Sequence, residues 1–132
     1  MREIQIQTQR KTQLIDISAR VQEALGDADG ASAALVYVPH TTAGVTINEG
    51  LDPDVPRDLE NALERIVDDG WDWRHEDADG ANSPSHTRAT LVSPQVLVPL
   101  EGGRLGLGRY QTIFFCEFDG PRDRRVYVTP LS

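Results

Sequence analysis

Apolar and polar residues alternate strictly at the start of the chain. In "EIQIQTQ" the period is two, which predicts a strand with one buried face. The period lengthens in "DISARVQEAL", where apolar residues recur at helical spacing. Asp16 or Ser18 is a candidate cap and Gly26 a stop. "ASAALVYVPH" is almost continuously apolar, rich in β-branched and aromatic residues, and predicts a strand buried on both faces. "AGVTIN" predicts a second short strand after a turn. The clearest helix is "DPDVPRDLENALERIVDDG". Val55, Leu59, Ala62, Leu63, Ile66 and Val67 form one stripe, Pro56 falls in the first turn, and Gly70 is a candidate stop. Ser83-Pro84 is a second helix start, a capping hydroxyl followed by proline, and predicts a short helix to about Val92. The last third reads as strands, "QVLVPL", "YQTIFFCEF" and "RRVYVTPL", with "DGPRD" as a hairpin turn. "EGGRLGLGR" is glycine-rich but lacks the lysine and following helix of a phosphate-binding loop, so it reads as a hairpin-type connection. Strands and helices mix without regular alternation. The expected class is α+β, a largely antiparallel sheet or sandwich with two or three helices.

The chain has 132 residues, which predicts one domain over residues 1–132. Apolar residues make up 39% and charged residues 26%, a composition that excludes a disordered chain. There is no long apolar run and no hydrophobic leader core, so the expectation is a cytoplasmic protein without a membrane partner. A formal net charge of −8 argues against a nucleic-acid surface. Yet Arg122, Arg124 and Arg125 sit together in "GPRDRRVYV", either as a local pocket for a small phosphorylated ligand or as a solvated turn. Cys116 is the only cysteine, which excludes an internal disulfide and a cysteine-rich zinc site. In "TIFFCEF" it reads as core, with a catalytic thiol as the minor option.

The candidate chemistry gathers around the three histidines. His40 ends a predicted strand and is followed by Thr41 and Thr42. His75 and His86 flank the acidic loop that contains Glu76, Asp77 and Asp79. His86 falls in the first turn of the predicted helix, where the positive helix end disfavours imidazolium. A neutral imidazole there can bind a metal, accept a proton or donate to an oxyanion, and the free backbone N–H groups can hold phosphate. Downstream of His40 come Asn48, Glu49, Asp52, Asp54 and Asp58. Asp52 or Asp54 reads as a helix cap, whereas Glu49 precedes the helix and needs another explanation. His40, His75 and His86 with a carboxylate can form a zinc-type site with an open position, although no compact ligand motif is present. Glu49 or Asp58 can hold magnesium. Any one histidine can equally be hydrogen-bonded structure.

Three stretches together resemble the YjbQ family, also called uncharacterised protein family 0047 or the secondary thiamine-phosphate synthase family. They are "HTTAGVTINEGLDPDVPRDL", the Asn82-to-His86 spacing after His75, and "GLGRYQTIFFCEFDGPRDRRVYV". The resemblance spans nearly the whole chain in order. It implies an α+β fold with a β-sandwich, a homotrimer and a weak thiamine-phosphate synthase-like activity. The family's polar positions fall on His40, Thr41, Asn48, Glu49, Asp58, His75, Asn82, His86, Gln111, Glu117 and Arg122. Two departures stand out. Tyr110 replaces a frequent tryptophan, and Ser83-Pro84-Ser85 fills a gap where alanine-like residues are usual.

The leading expectation is a transferase handling small phosphorylated substrates. His86, Asp58 and Glu49 are its catalytic candidates. Thr41, Asn48, Asn82, Ser85, Gln111, Glu117 and Arg122 are its substrate-binding candidates. A divalent ion, zinc or magnesium, is a candidate cofactor. The alternatives are a metal-dependent hydrolase using His40, His75 and His86, and a non-catalytic trimeric binder of a phosphorylated metabolite.

Overall fold

The computed structural model describes residues 1–76 and 81–132. The acidic loop residues Asp77 and Asp79 therefore lie outside the described residues. In chain order the elements are β1 (Arg2–Gln7), β2 (Gln13–Asp16), α1 (Ser18–Leu25), β3 (Ala33–Tyr37), β4 (Ala43–Glu49), α2 (Asp54–Ile66), α3 (Ser83–Val92), β5 (Gln95–Glu101), β6 (Arg104–Leu105), β7 (Gln111–Glu117) and β8 (Asp123–Leu131). They build a five-stranded sheet, β1-β8-β3-β5-β6, and a three-stranded sheet, β2-β7-β4. Every pairing in both is antiparallel. The expected α+β sandwich is the observed one.

The alternation along each strand makes the inner layer. Ile4 and Ile6 of β1, Val36 of β3, Val45 of β4, Phe115 of β7 and Val126 of β8 meet in one core, which Val21 and Leu25 of α1 complete. On the other face of the three-stranded sheet, Phe114, Cys116 and Phe118 pack beneath Ala89 and Val92 of α3 and Leu63 of α2. Burial on both faces, expected for the β3 stretch, is thus found in β7, because helices cover that sheet. In β3 only the inward residues Ala34 and Val36 are buried, and Tyr37 is 39% exposed. No element of this chain covers the outer face of the five-stranded sheet among the described residues, and Leu97 there is 61% exposed. Cys116 is fully buried, and burial pushes its thiol above the ordinary range, as expected of a core residue.

Helix ends differ in detail from the sequence expectation. Asp16 accepts a hydrogen bond from the Ser18 N–H at 2.9 Å, while the Ser18 hydroxyl accepts from Ile113 N–H at 2.9 Å. Asp52 accepts from the Asp54 N–H at 2.9 Å, but Pro53 holds the cap position of α2 and no side chain caps it, so neither Asp52 nor Asp54 is the cap residue. Gly70 does not stop α2. The chain turns extended at Val67, and the buried Arg88 of α3 donates to the carbonyls of Leu63, Glu64 and Val67 at 3.0, 3.1 and 2.9 Å. An arginine distant in sequence thereby satisfies the helix end and ties α3 to α2. The short β2 was not foreseen, since four residues carry too little alternation to read. The β5–β6 turn is the expected hairpin, with Gly102 and Gly103 both at positive φ, 58° and 77°. Gly44 is needed for close approach: a Cβ there would lie 2.6 Å from the Ser93 carbonyl oxygen, which accepts from Val45 N–H at 3.0 Å.

At one end of the sandwich the inward positions change from apolar to polar. Glu117 of β7 and Arg124 of β8 pair across the two sheets, with side chains 0% and 6% exposed. One Glu117 oxygen accepts from Thr8 Oγ1 and Arg124 Nε, both at 2.8 Å. The other accepts from Arg124 Nη2 and from the N–H groups of Phe118 and Asp119. Arg124 Nη2 also donates to Thr42 Oγ1 at 2.8 Å. Removing one partner strands a buried charge. Glu117→Gln is expected to lower unfolding free energy by roughly 3–5 kcal/mol in urea titration. A loss below about 1 kcal/mol, the level of an exposed pair, contradicts this account.

Candidate functional site

The polar end of the core is also the floor of a cleft. Beyond the inward residues Ala34, Val36 and Val38, the chain leaves β3 and presents His40. His40 Nε2 accepts a hydrogen bond from the Arg125 N–H at 2.9 Å. An acceptor nitrogen carries no proton, so in the neutral ring the proton sits on Nδ1. Burial lowers the His40 pKa, and the positive charges of Arg124 and Arg125 lower it further; Glu117 opposes them.

The second wall is the start of α3. Asn82 Nδ2 donates to Asp119 Oδ2 at 3.1 Å, and the Ser85 hydroxyl donates to the Phe118 carbonyl. Those two bonds dock the helix start onto the turn after β7. His86 follows one turn in, and its ring lies edge-on to that of His75, with centroids 5.1 Å apart. The third wall is Arg122, whose guanidinium donates to the Asp119 carbonyl at 2.8 Å and to Asp119 Oδ2 at 2.9 Å. The cleft measures about 490 Å³, and its lining includes His40, Thr41, His75, Asn82, His86 and Arg122. Among the described residues, Asp119 is the only carboxylate in that lining, and it is already paired. The arrangement can accept a compact anion through Arg122, the Thr41 hydroxyl, ring N–H groups and the helix start. Another groove, about 520 Å³, follows the β1–β8 pair past Gln5, Gln7 and Asp123 but gathers no histidine.

The candidates therefore divide. His40, Thr41, His75, Asn82, His86 and Arg122 converge on the cleft. Ser85 and Glu117 lie behind it, buried, and act through the residues they hold. Asn48, Glu49 and Gln111 sit at the opposite end of β4 and β7, where Glu49 faces Gln111 in register. The seven-residue β4 runs from Ala43 to Glu49 and carries Glu49 roughly 20 Å from its first residue. Gln111 accepts from Gly108 N–H at 2.8 Å, and Glu49 from Asp52 N–H at 3.3 Å. Asp58 is exposed on α2 beside Asn61 and Arg65. Within one chain, then, Glu49 and Asp58 do not join His86 in one catalytic set. Sequence spacing could not show this, because the extended β4 carries Glu49 away from the histidines.

The three-histidine metal site does not fit this arrangement. A neutral imidazole bound to a metal through one nitrogen keeps its proton on the other. His40 Nε2 is an acceptor, so its proton is on Nδ1 and neither nitrogen is left to ligate. Among the described residues, no three His, Cys, Asp or Glu side chains are placed to share an ion.

Asp119 is not singled out by the sequence. Asp119 was hidden in a turn, where aspartate is common for local reasons. Its position two residues after the inward Glu117 was the available signal.

These features define a small α+β sandwich whose histidines and arginines meet at its polar end. The sequence pattern described as "UPF0047 protein YjbQ-like" matches residues 2–132. UPF0047 protein YugU of Bacillus subtilis is 43% identical, over 100% of this chain and 99% of that protein. UPF0047 protein MJ1081 of Methanocaldococcus jannaschii is 40% identical, over 94% and 88%. The crystal structure of an uncharacterized conserved protein of the yjbq/upf0047 family from Clostridium acetobutylicum superposes with a TM-score of 0.91, 40% identity and coverage of 99% and 100%. The chain belongs to the YjbQ-like UPF0047 family.

His40 gives a pH signature. Its folded pKa lies below the unfolded value of about 6.5, so acidification protonates the unfolded state first. The stability it contributes is present above that value and is lost as pH falls through it. The thermal midpoint should fall between about pH 7.5 and pH 5, and less steeply in His40→Asn. Identical slopes in the two proteins would remove His40 from this account.

Proposed function

We propose that the histidine cleft binds the phosphate or diphosphate group of a small metabolite, and that the chain is a thiamine-phosphate synthase-like transferase. The observation that carries this reading is the convergence of Arg122, held by Asp119, with His86 and the start of α3 on one cleft of a protein that is otherwise strongly acidic. In the transfer, the bond between the pyrimidine methyl carbon and the diphosphate oxygen breaks. Its electron pair leaves on diphosphate, and the thiazole nitrogen lone pair forms the new carbon–nitrogen bond. Arg122 neutralises the growing charge, and His86 donates a hydrogen bond or proton to the leaving group. Magnesium, where used, would take oxygen ligands such as Glu49 or Asp58. Their distance from His86 within one chain leaves them without an assigned step.

The homotrimer belongs to the same proposal. Support comes from the uncovered outer face of the five-stranded sheet, where Leu35 pairs with Leu97 and Tyr37 with Tyr127. An apolar sheet face without a covering layer favours association.

Each of His86→Ala and Arg122→Ala should lower product formation from the two phosphorylated substrates by roughly 100-fold. Unchanged turnover in both variants overturns the transferase assignment. Saturable ligand binding with no turnover in the unsubstituted protein replaces it with the binding-protein reading. Leu97→Glu should shift the sedimentation of the assembly toward the single chain, whereas an unaltered profile excludes this face from the contact.

A further inference from the structure

The histidine cleft has a neighbour of different chemistry. Sharing His40, Thr41 and His86 with the cleft is a second, open hollow of about 320 Å³, also lined by Ala43, Ala89, Thr90 and Pro94. The three shared residues form a saddle between the two spaces. Arg122, Arg124 and Asp119 line the first. The second has no arginine, lysine or carboxylate in its lining among the described residues. Thr90 commits its hydroxyl to the His86 carbonyl at 3.1 Å. The new walls are therefore largely methyl and pyrrolidine surface. An apolar cavity of roughly 150 Å³ is enough to take benzene, so the available space suits a single ring.

We propose that this second cavity is a subsite for the uncharged part of a phosphorylated ligand. The ligand class is a phosphate ester whose esterifying group is a compact ring or short alkyl chain. Its anion sits in the cleft, and its apolar group crosses the saddle onto Ala89, Thr90 and Pro94. His86 touches both parts, so one side chain senses the phosphate end and the ring end together. This inference rests on the phosphate reading of the cleft. It adds that affinity comes from two adjoining spaces, one charged and one apolar.

Isothermal titration calorimetry with methyl phosphate and benzyl phosphate separates the two claims. The probes share the same charged group and differ in the ring. The full chain should bind benzyl phosphate about tenfold more tightly than methyl phosphate, as expected for burial of a small apolar surface. In Thr90→Trp, which fills the cavity from an exposed helix position, the ratio should fall to near one. Equal affinities in the unsubstituted protein overturn the subsite. So does a ratio that persists undiminished in Thr90→Trp. Binding of neither probe overturns the phosphate reading itself, and the subsite with it.

Discussion

Two opposite charges buried between two sheets must find nearly all their hydrogen bonds inside the protein. The Glu117–Arg124 pair does so by drawing on three separate parts of the chain. Thr8 comes from the end of β1, Thr42 from the entry to β4, and the N–H groups of Phe118 and Asp119 from the turn after β7. These bonds set where β7 ends and where β8 begins. With its backbone N–H held by Glu117, Asp119 has its carboxylate available to hold Asn82 and Arg122. The helix start and the cleft arginine are thus positioned by a pair that lies behind them.

The same geometry separates three neighbouring arginines. Arg124 faces inward and is consumed by Glu117. Arg125 points to the opposite face, as strand alternation demands, near Glu3 and over the Tyr127 ring. Arg122 lies before the strand and reaches the cleft. Arg125 still contributes through its backbone, whose N–H selects the His40 tautomer. The positive character of the cleft therefore comes from few groups at close range. They stand in a chain whose formal net charge is −8.

The molecule has two polar ends and one uncovered face. The histidines and Arg122 occupy one end. Glu49, Asn48 and Gln111 occupy the other, where the bonds they make within the turns are local. The bare outer face of the larger sheet runs between the ends, with apolar side chains paired across strands.

Much of the local structure was legible in the sequence because local periodicity and turn chemistry are set by neighbours. The alternation of β1, the helical spacing of α1 and α2 and the Gly102-Gly103 hairpin follow from residues a few positions apart; α3 begins at Ser83 as expected, but Asn82 and not Ser83 holds its cap position, with no side-chain cap. The convergence of histidine segments was legible in part, since polar residues at element ends often converge on loops. What lies far apart in sequence was settled by packing. Arg88, not Gly70, finishes α2. Helices cover β7, so it and not β3 is buried on both faces. Asp119 became the hub of the cleft, while Glu49 and Asp58 were carried elsewhere. Apart from the short β2, the elements and the chemical inventory of the chain are readable from neighbouring residues. Which of those groups share a cavity is settled by packing, because that depends on how buried charges and uncovered faces find partners across long stretches of chain.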